Sequence, residues 1–489
     1  MNFHSIDFLL FLPVVVALYF ATPQRFRWVL LLLASNVFYG SWRLEFLPIL
    51  WLSTGIDYAV GRALPGVTDK RKRLGLLGIS LCGNLGLLLF FKYFALAANT
   101  TLSLWHGGEP GAFEPIDIIL PLGISFYTFQ TLGYVIDIYR GRRAPESHAG
   151  YFAVYVMYFP QLIAGPIERP GRLLPQLRAG HAFDIRRAAA GGALMLVGYF
   201  KKLVIADRLA ETVPAVLAAP QDHTPLAVLL ASVGSIYRYY ADISGYADIA
   251  IGASLIIGIR LSRNFDRPLA AASISEFWQR WHITVTTWFR DYLYLPLARR
   301  GREWWRKPAA TILTIMIVAF WHGAAWTWLA AGLIAGLVMI AEGAVRRSRP
   351  IARASGRVFG ALGFGEGQVR FVQDSANRVV LWLFLILLGS LVNAGGWSEA
   401  MATWVRIADL PAQIGGLGVG LADVAFLPKT VLLAVIALEL YQWLDARRPV
   451  FERLEGRGLP AAWAFYYALA AAILIFGTFD RSGFIYFGF

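Results

Sequence analysis

Residues 240–297 read YADISGYADIAIGASLIIGIRLSRNFDRPLAAASISEFWQRWHITVTTWFRDYLYLPL, and beyond a basic loop an apolar run closes on WHGAAWTW at 321–328. Much of this stretch has the composition of a membrane interior. It nevertheless carries two carboxylates (Asp242, Asp248), the neighbours Arg290 and Asp291, and two histidines (His282, His322). An ionisable group at membrane depth is costly unless it faces a cavity or a partner, so each of these is a candidate functional residue.

Working outward, the whole chain has the same character. It is 57% hydrophobic and only 16% charged, with a mean hydropathy of +0.54. That leaves too little polar surface for a water-soluble globule of 489 residues and points to an all-α polytopic membrane protein. The opening MNFHSIDFLLFLPVVVALYF has no basic segment ahead of its apolar run and no small-residue cleavage site after it, so it reads as a retained first span. The net charge of +14 sits in short clusters between apolar runs. That is the pattern of cytoplasmic loops and argues against nucleic acid as a partner. Cys82 is the only cysteine, which excludes an internal disulfide or a cysteine-rich metal site.

Apolar runs begin near Ser5, Arg27, Phe46, Leu74 and Ile116, separated by loops of alternating charge. Lys70 to Arg73 is basic, whereas Gly107 to Asp117 is acidic with no Lys or Arg. The positive-inside rule then places the N-terminus outside, residues 62–73 inside, 99–115 outside and Arg140 to Arg143 inside. Tyr151 to Ala164 is too short to span and contains Pro160 and Gly165-Pro166, which predicts a re-entrant or interfacial piece. A sixth span covers Ala188 to Ala206. One long or broken crossing follows, with the polar patch Tyr237 to Asp248 at its middle; a break there would line a pocket. Within residues 268–307, Trp278, Trp281, Val285, Trp288 and Tyr292 recur at three- and four-residue spacing, which predicts an aromatic stripe on one helix, with His282 on the face of Trp278 and Val285. Thr311 to Phe320 and Trp326 to Ile340 form a hairpin with His322 at its turn. Further spans at about 376–394, 428–444 and 461–479 bring the expected total to 11–13, in a single membrane-embedded unit over residues 1–489.

His322 stands in Trp321-His322-Gly323, followed by Ala324 and Ala325. The small residues leave room for a substrate, Trp321 supplies a wall, and a neutral imidazole suits a general base acting on a hydroxyl. Arg280 and Arg290 fit either the phosphates of a cytoplasmic donor or a salt-bridge frame with Glu276 and Asp291. The seven histidines show no metal-binding spacing, and no Walker, dinucleotide or Gly-x-Ser-x-Gly loop is present. Any activated group therefore arrives on a diffusible donor or a partner, with no bound cofactor.

FYTFQTLGYVIDIYRG (126–141), YVMYFPQLIAGPIERP (155–170), residues 264–297, WHGAAWTW and the terminal FIYFGF (484–489) together resemble the bacterial membrane-bound O-acyltransferase family, and within it the membrane subunits of alginate O-acetylation. The resemblance implies helices around a central funnel or tunnel in the bacterial inner membrane. It implies an acetyl thioester, acetyl-CoA being the expected donor, taken at the cytoplasmic face, and transfer toward an exported polysaccharide with a periplasmic acetyltransferase partner. The family's Trp-His-Gly histidine falls on His322 and its Arg-Trp-His histidine on His282, the two implied catalytic positions. Arg280, Arg290, Asp291, Trp321 and Trp278 would bind substrate. Gln279, Thr284, Thr286 and Gly488 depart from the common pattern, and none of them touches the histidines. Two other classes remain open on residues alone: a transporter using the patch around Asp242 to Asp248, and a non-catalytic membrane partner of a periplasmic acetylase.

The loop charges generate a direct test. Reporter fusions at Lys72 and Glu109 should report opposite sides of the membrane, and finding both on one side would overturn the whole assignment.

Overall fold

The computed structural model describes residues 1–107, 113–299, 301, 303–348, 365–416, 418, 420–447, 450 and 459–479. Glu109, most of the basic segment 346–357, most of Arg447 to Arg457 and the terminal 484–489 motif lie outside the described residues. Among those described there is no strand, and the protein is an all-α polytopic membrane protein. Lys70–Trp105, Ile185–Ala218, Trp326–Arg347 and Glu366–Asn393 are long and apolar enough to cross a bilayer by themselves, and Ile6–Ala21 and Pro460–Phe476 are shorter apolar helices. Many large apolar side chains on these helices point outward, among them Leu10, Leu89, Leu337, Leu383 and Leu474. That is the reverse of a water-soluble surface and the expected lipid face.

At the centre, the helix Pro225–Ile257 runs unbroken for 33 residues. The long alternative for this crossing is therefore the correct one: the helix continues through the polar patch, and its unbroken face, with Tyr239 and Ile243, lines a cavity. Its partner is the helix beginning at Ile185, and glycines set the distance between them. A Cβ on Gly198 would lie 2.6 Å from the Gly245 carbonyl oxygen, and one on Gly191 would lie 2.6 Å from that of Gly252. Only hydrogen at these positions lets the two backbones meet, which is how membrane helices gain packing without a hydrophobic drive between them.

The polar patch keeps its helix because it has partners. The Ile185–Tyr199 helix continues as a π-helical segment at Phe200–Ala206, and this segment carries Lys201 and Lys202. Lys201 pairs with Asp248 at 2.6 Å, and Lys202 pairs with Asp242 at 2.5 Å and with Asp207 at 2.8 Å. Asp242 and Asp248, six residues apart, do not share one helical face; the two consecutive lysines reach both. A second buried polar knot joins earlier helices, where Asp57 accepts from the Ser80 hydroxyl at 2.5 Å and from the Asn84 amide at 2.9 Å.

The predicted short piece at Tyr151 to Ala164 is a helix, Ala149–Met157, then a kink at Tyr158 and one turn at Phe159–Leu162, with Phe152 through Ala164 buried within the protein. The hairpin forms as expected from Arg306–His322 and Trp326–Arg347. Gly332 and Gly336 bring its arms together, since Cβ atoms there would approach the Cα atoms of Met316 and Ile312 at 2.6 and 2.9 Å.

Lys202→Met would leave Asp242 and Asp207 buried without their cation. Breaking one partner of a buried pair typically costs ~3–5 kcal/mol, so this variant should unfold at a clearly lower temperature in detergent than wild type. A melting temperature within a degree of wild type would show that the pairs carry no such stabilisation.

Candidate active site

The two histidines are brought together by different local devices. His322 ends the first arm of the hairpin, and Gly323 follows in extended backbone (φ −140°, ψ 127°). A Cβ on Gly323 would run into the Trp328 indole, so the turn closes only with glycine there. The His322 Nδ1 lies 2.7 Å from the carbonyl oxygen of Val318. A carbonyl only accepts, so Nδ1 carries the proton and the Nε2 lone pair is the basic site. The Trp321 ring lies 4.5 Å from the imidazole by centroids, and the Trp328 ring lies parallel to it at 6.2 Å.

His282 departs from the sequence expectation. The aromatic stripe does not lie on one helix: Ile274–Arg280 and Ile283–Phe289 are separate, and His282 sits between them at φ 46°, ψ 52°. This left-handed conformation is strained for a residue with a Cβ and is held by its surroundings. Asn264 supplies the hold. Its carbonyl accepts from the Ile283 N–H at 2.8 Å, and its side-chain oxygen accepts from the Thr284 N–H at 3.2 Å and the Thr284 hydroxyl at 2.9 Å. Asp266 N–H donates to the Arg280 carbonyl at 2.9 Å, closing the same loop. The short helix before it starts at Ser273, whose hydroxyl accepts from the Glu276 N–H at 3.0 Å, and it is tied to the hairpin by Glu342, which accepts from the N–H groups of Ile274 and Ser275. His282 is therefore a buried hinge residue and shares no helical face with Trp278 and Val285. Its ring lies 6.2 Å from that of His322.

Two spaces flank the turn. On one side is a cavity of ≈ 140 Å³, almost wholly apolar, lined by His322, Trp278, Trp281, Trp328 and Tyr239. On the other is a larger vestibule of ≈ 940 Å³ lined by Lys92, Asn99, Thr100, Ser103, Asp117 and Trp326. The turn from Trp321 to Trp326 separates them. Trp321 itself packs behind the imidazole against Phe126 and Phe129.

The remaining candidates lie elsewhere and are already engaged. Arg280 is ion-paired to Glu276. Arg290 pairs with Asp291 at 2.9 Å, and Asp291 also receives Arg169 at 3.0 Å. Arg140 stacks near Tyr292, as does Arg169. Arg140, Arg169 and Arg290 thus form a basic cluster only partly neutralised by Asp291, apart from the histidine cavity. Among the described residues no cluster of three or more histidine, cysteine or carboxylate side chains could hold a metal ion. Sequence reading passed over Lys201, Lys202 and Lys92, although a lysine inside an apolar run is the signal that should have marked each of them.

The site thus has a histidine at the end of a helical hairpin, lining an apolar cavity, with a polar vestibule on the other side of the turn. Comparison with known proteins settles the class. Residues 146–355, which include both histidines, match the MBOAT, membrane-bound O-acyltransferase family. The chain is 38% identical to the "Probable alginate O-acetylase AlgI" of Azotobacter vinelandii, over 84% of this chain and 83% of that protein. It is also 38% identical to the protein of the same name from Pseudomonas aeruginosa, over 87% of this chain and 80% of that one. A "Peptidoglycan O-acetyltransferase" of Helicobacter pylori is 33% identical over 67% and 68%. The chain belongs to the membrane-bound O-acyltransferase family and is an O-acyltransferase.

The Asn264–Thr284 contact gives a test of the loop that holds His282. Thr284→Val keeps the shape of a side chain that is 7% exposed but removes its hydroxyl, which also accepts from the Ile167 N–H at 3.0 Å. Buried groups left unpaired cost ~1–3 kcal/mol, so Thr284→Val should lower the unfolding temperature while Thr284→Ser stays near wild type. Equal behaviour of the two variants would remove the hydroxyl from the account.

Proposed function

We propose that this protein is an inner-membrane acetyltransferase that moves an acetyl group from a cytoplasmic thioester, acetyl-CoA, toward O-acetylation of an exported polysaccharide, acting with a periplasmic acetyltransferase partner. The relatives named for alginate and peptidoglycan O-acetylation support acetyl as the group and an exported glycan as its destination. The observation that carries the mechanism is the His322 imidazole, held by Val318 as the tautomer with a basic Nε2. His322 removes the proton of the acceptor hydroxyl as that oxygen attacks the thioester carbonyl carbon, and the leaving thiolate takes the proton back.

The basic cluster of Arg140, Arg169 and Arg290 supplies a docking edge for the donor's phosphates, with Arg280 framing the loop beneath it; bidentate guanidinium contacts suit that task. Trp278 walls the apolar cavity beside His322, which supports a place for the acyl and thioester end of the donor. His282, strained and buried against His322, serves the donor side.

Purified full-length protein should release free thiol from acetyl-CoA, and this measurement separates an enzyme from a transporter or a silent membrane partner. General-base catalysis typically contributes ~10²–10⁴-fold, so His322→Gln should abolish nearly all polymer acetylation in cells at wild-type protein level. Near-normal acetylation by that variant would reduce His322 to a packing residue. His282→Ala should weaken use of the donor and leave partner binding intact; the opposite split would place it on the acceptor side.

A further inference from the structure

Lys92 lies in the apolar run LLLFFKYFALAA on the helix Lys70–Trp105 and is 9% exposed. Lys201 and Lys202 meet carboxylates, but among the described residues no carboxylate forms an ion pair with Lys92. Its ammonium lies 3.5 Å from the His322 backbone carbonyl oxygen and 5.8 Å from the centroid of the Trp321 ring. It lines both the vestibule and a small void against Phe126 and Trp321. The adjacent Tyr93 hydroxyl donates to the Phe320 carbonyl at 3.1 Å, and the two rings stack at 4.7 Å. Consecutive side chains of one helix thus reach the end of the helix that bears the base, where carbonyls lack partners within the helix. Tyr93 makes an ordinary hydrogen bond. The Lys92 contact is at the outer limit of one, so most of the capacity of its three donors is left for the space it faces.

A buried ammonium needs negative charge nearby. The vestibule mouth is a poor source of an anionic ligand, because its charged lining residue there, Asp117, is an exposed carboxylate and the loop from Gly107 carries no Lys or Arg. On the functional reading, the negative charge that comes to this place is a transient one, the oxyanion formed during acyl transfer at His322. We propose that Lys92 is a catalytic residue of the acyl transfer, its ammonium stabilising the oxyanion of the tetrahedral intermediate, an assignment that rests on the functional reading above. The hydroxyl oxygen bonds to the thioester carbonyl carbon, the hydroxyl proton passes to His322 Nε2, and the carbonyl π pair moves onto oxygen, which projects past the turn at Trp321 toward Lys92 on the vestibule side. As that pair returns, the C–S bond breaks and the thiolate leaves with the proton from the imidazolium. A preformed cation at such an oxyanion acts in the transition state and adds little to ground-state binding.

The test uses full-length protein in neutral detergent free of anionic lipid, carrying Cys82→Ser, with acetyl-CoA as donor and a soluble oligosaccharide as acceptor. Wild-type thiol release is the control on the functional reading, and its absence would overturn that reading rather than the role of Lys92 within it. Lys92→Met should lower kcat by about 10²–10³-fold with KM for either substrate within about threefold, the signature of losing one oxyanion donor. Lys92→Cys should be equally slow, and alkylation with 2-bromoethylamine, which restores an ammonium of nearly the same length, should recover at least tenfold. Tyr93→Phe, which removes only the helix-end hydrogen bond, should stay within about threefold of wild type. If Lys92→Met raised KM with kcat unchanged, Lys92 would be an acceptor anchor and the proposal would fail. Unchanged kinetics, or an alkylated Lys92→Cys no faster than its parent, would also overturn it. The alkylation arm compares one protein before and after modification, so a folding defect in Lys92→Met leaves the question decidable.

Discussion

Charge buried in an apolar frame is the constraint on which this structure depends. Lys201 and Lys202 stand side by side in the sequence, and both must reach carboxylates on one neighbouring helix. Consecutive residues of an α-helix point about 100° apart, too far to serve one neighbour equally. The π-helical segment Phe200–Ala206 widens the turn where the lysines lie, and π segments inside longer helices are characteristically tied to such specific side-chain demands. The glycine contacts at Gly198 with Gly245 and Gly191 with Gly252 set the helices close enough for these ion pairs. Packing and electrostatics are then mutually dependent: a larger residue at Gly198 would separate the ions, and loss of an ion would leave the tight contact burying bare charge.

The histidine site is built against this fixed centre by short, strained pieces rather than by long helices. The loop from Asn264 to Thr284 uses two non-glycine residues at positive φ, Arg267 and His282, to fold the Ile274–Arg280 helix back toward the hairpin. Strain at His282 persists because Asn264 binds Ile283 and Thr284 after the turn, Asp266 binds the Arg280 carbonyl before it, and Glu342 anchors the small helix from the opposite direction. The imidazole of His322 is oriented by its own helix through Val318, and its turn is shaped by Trp328 against Gly323. Each histidine thus has its own support.

Much of this was legible in the sequence, and what was not has a physical cause in each case. The hairpin, the outer spans and the short buried piece at Tyr151 to Ala164 follow from run length and loop charge, quantities that tertiary contacts do not alter. The aromatic stripe failed because Trp278, Trp281, Val285 and Trp288 keep a helical period across a point where the backbone turns. The period reports which residues are apolar, whereas Asn264, outside the repeat, decides the path. The polar patch at Tyr237 to Asp248 suggested a break because its partners had been overlooked. Lys201 and Lys202 lie in a run whose average hydropathy stays high, and averaging conceals the two residues that let the helix continue. His322 stands out in the sequence because its neighbours Gly323, Ala324 and Ala325 signal space around it, and in the structure it lines a cavity. Lys92 carries the signal of a charge inside an apolar run, but only the fold brings it beside Trp321.

The arrangement around the hairpin turn also bears on how transfer across a membrane can avoid becoming a leak. The apolar cavity and the polar vestibule lie on opposite sides of residues 321–326, and none of the described residues lines both. Water fills a space only where it finds polar partners, so a cavity lined by indoles and aliphatic side chains excludes it, while the vestibule with Asn99, Thr100 and Ser103 admits it. On the functional reading, a thioester held in the dry cavity is kept from hydrolysis until a hydroxyl arrives from the wet side. The imidazole at the boundary then acts on whichever hydroxyl is positioned there. Dryness on one side and polarity on the other thus protect the donor, and the Trp321 ring, packed between Phe129 and the histidine and facing Lys92, marks the place where hydroxyl and thioester would have to meet.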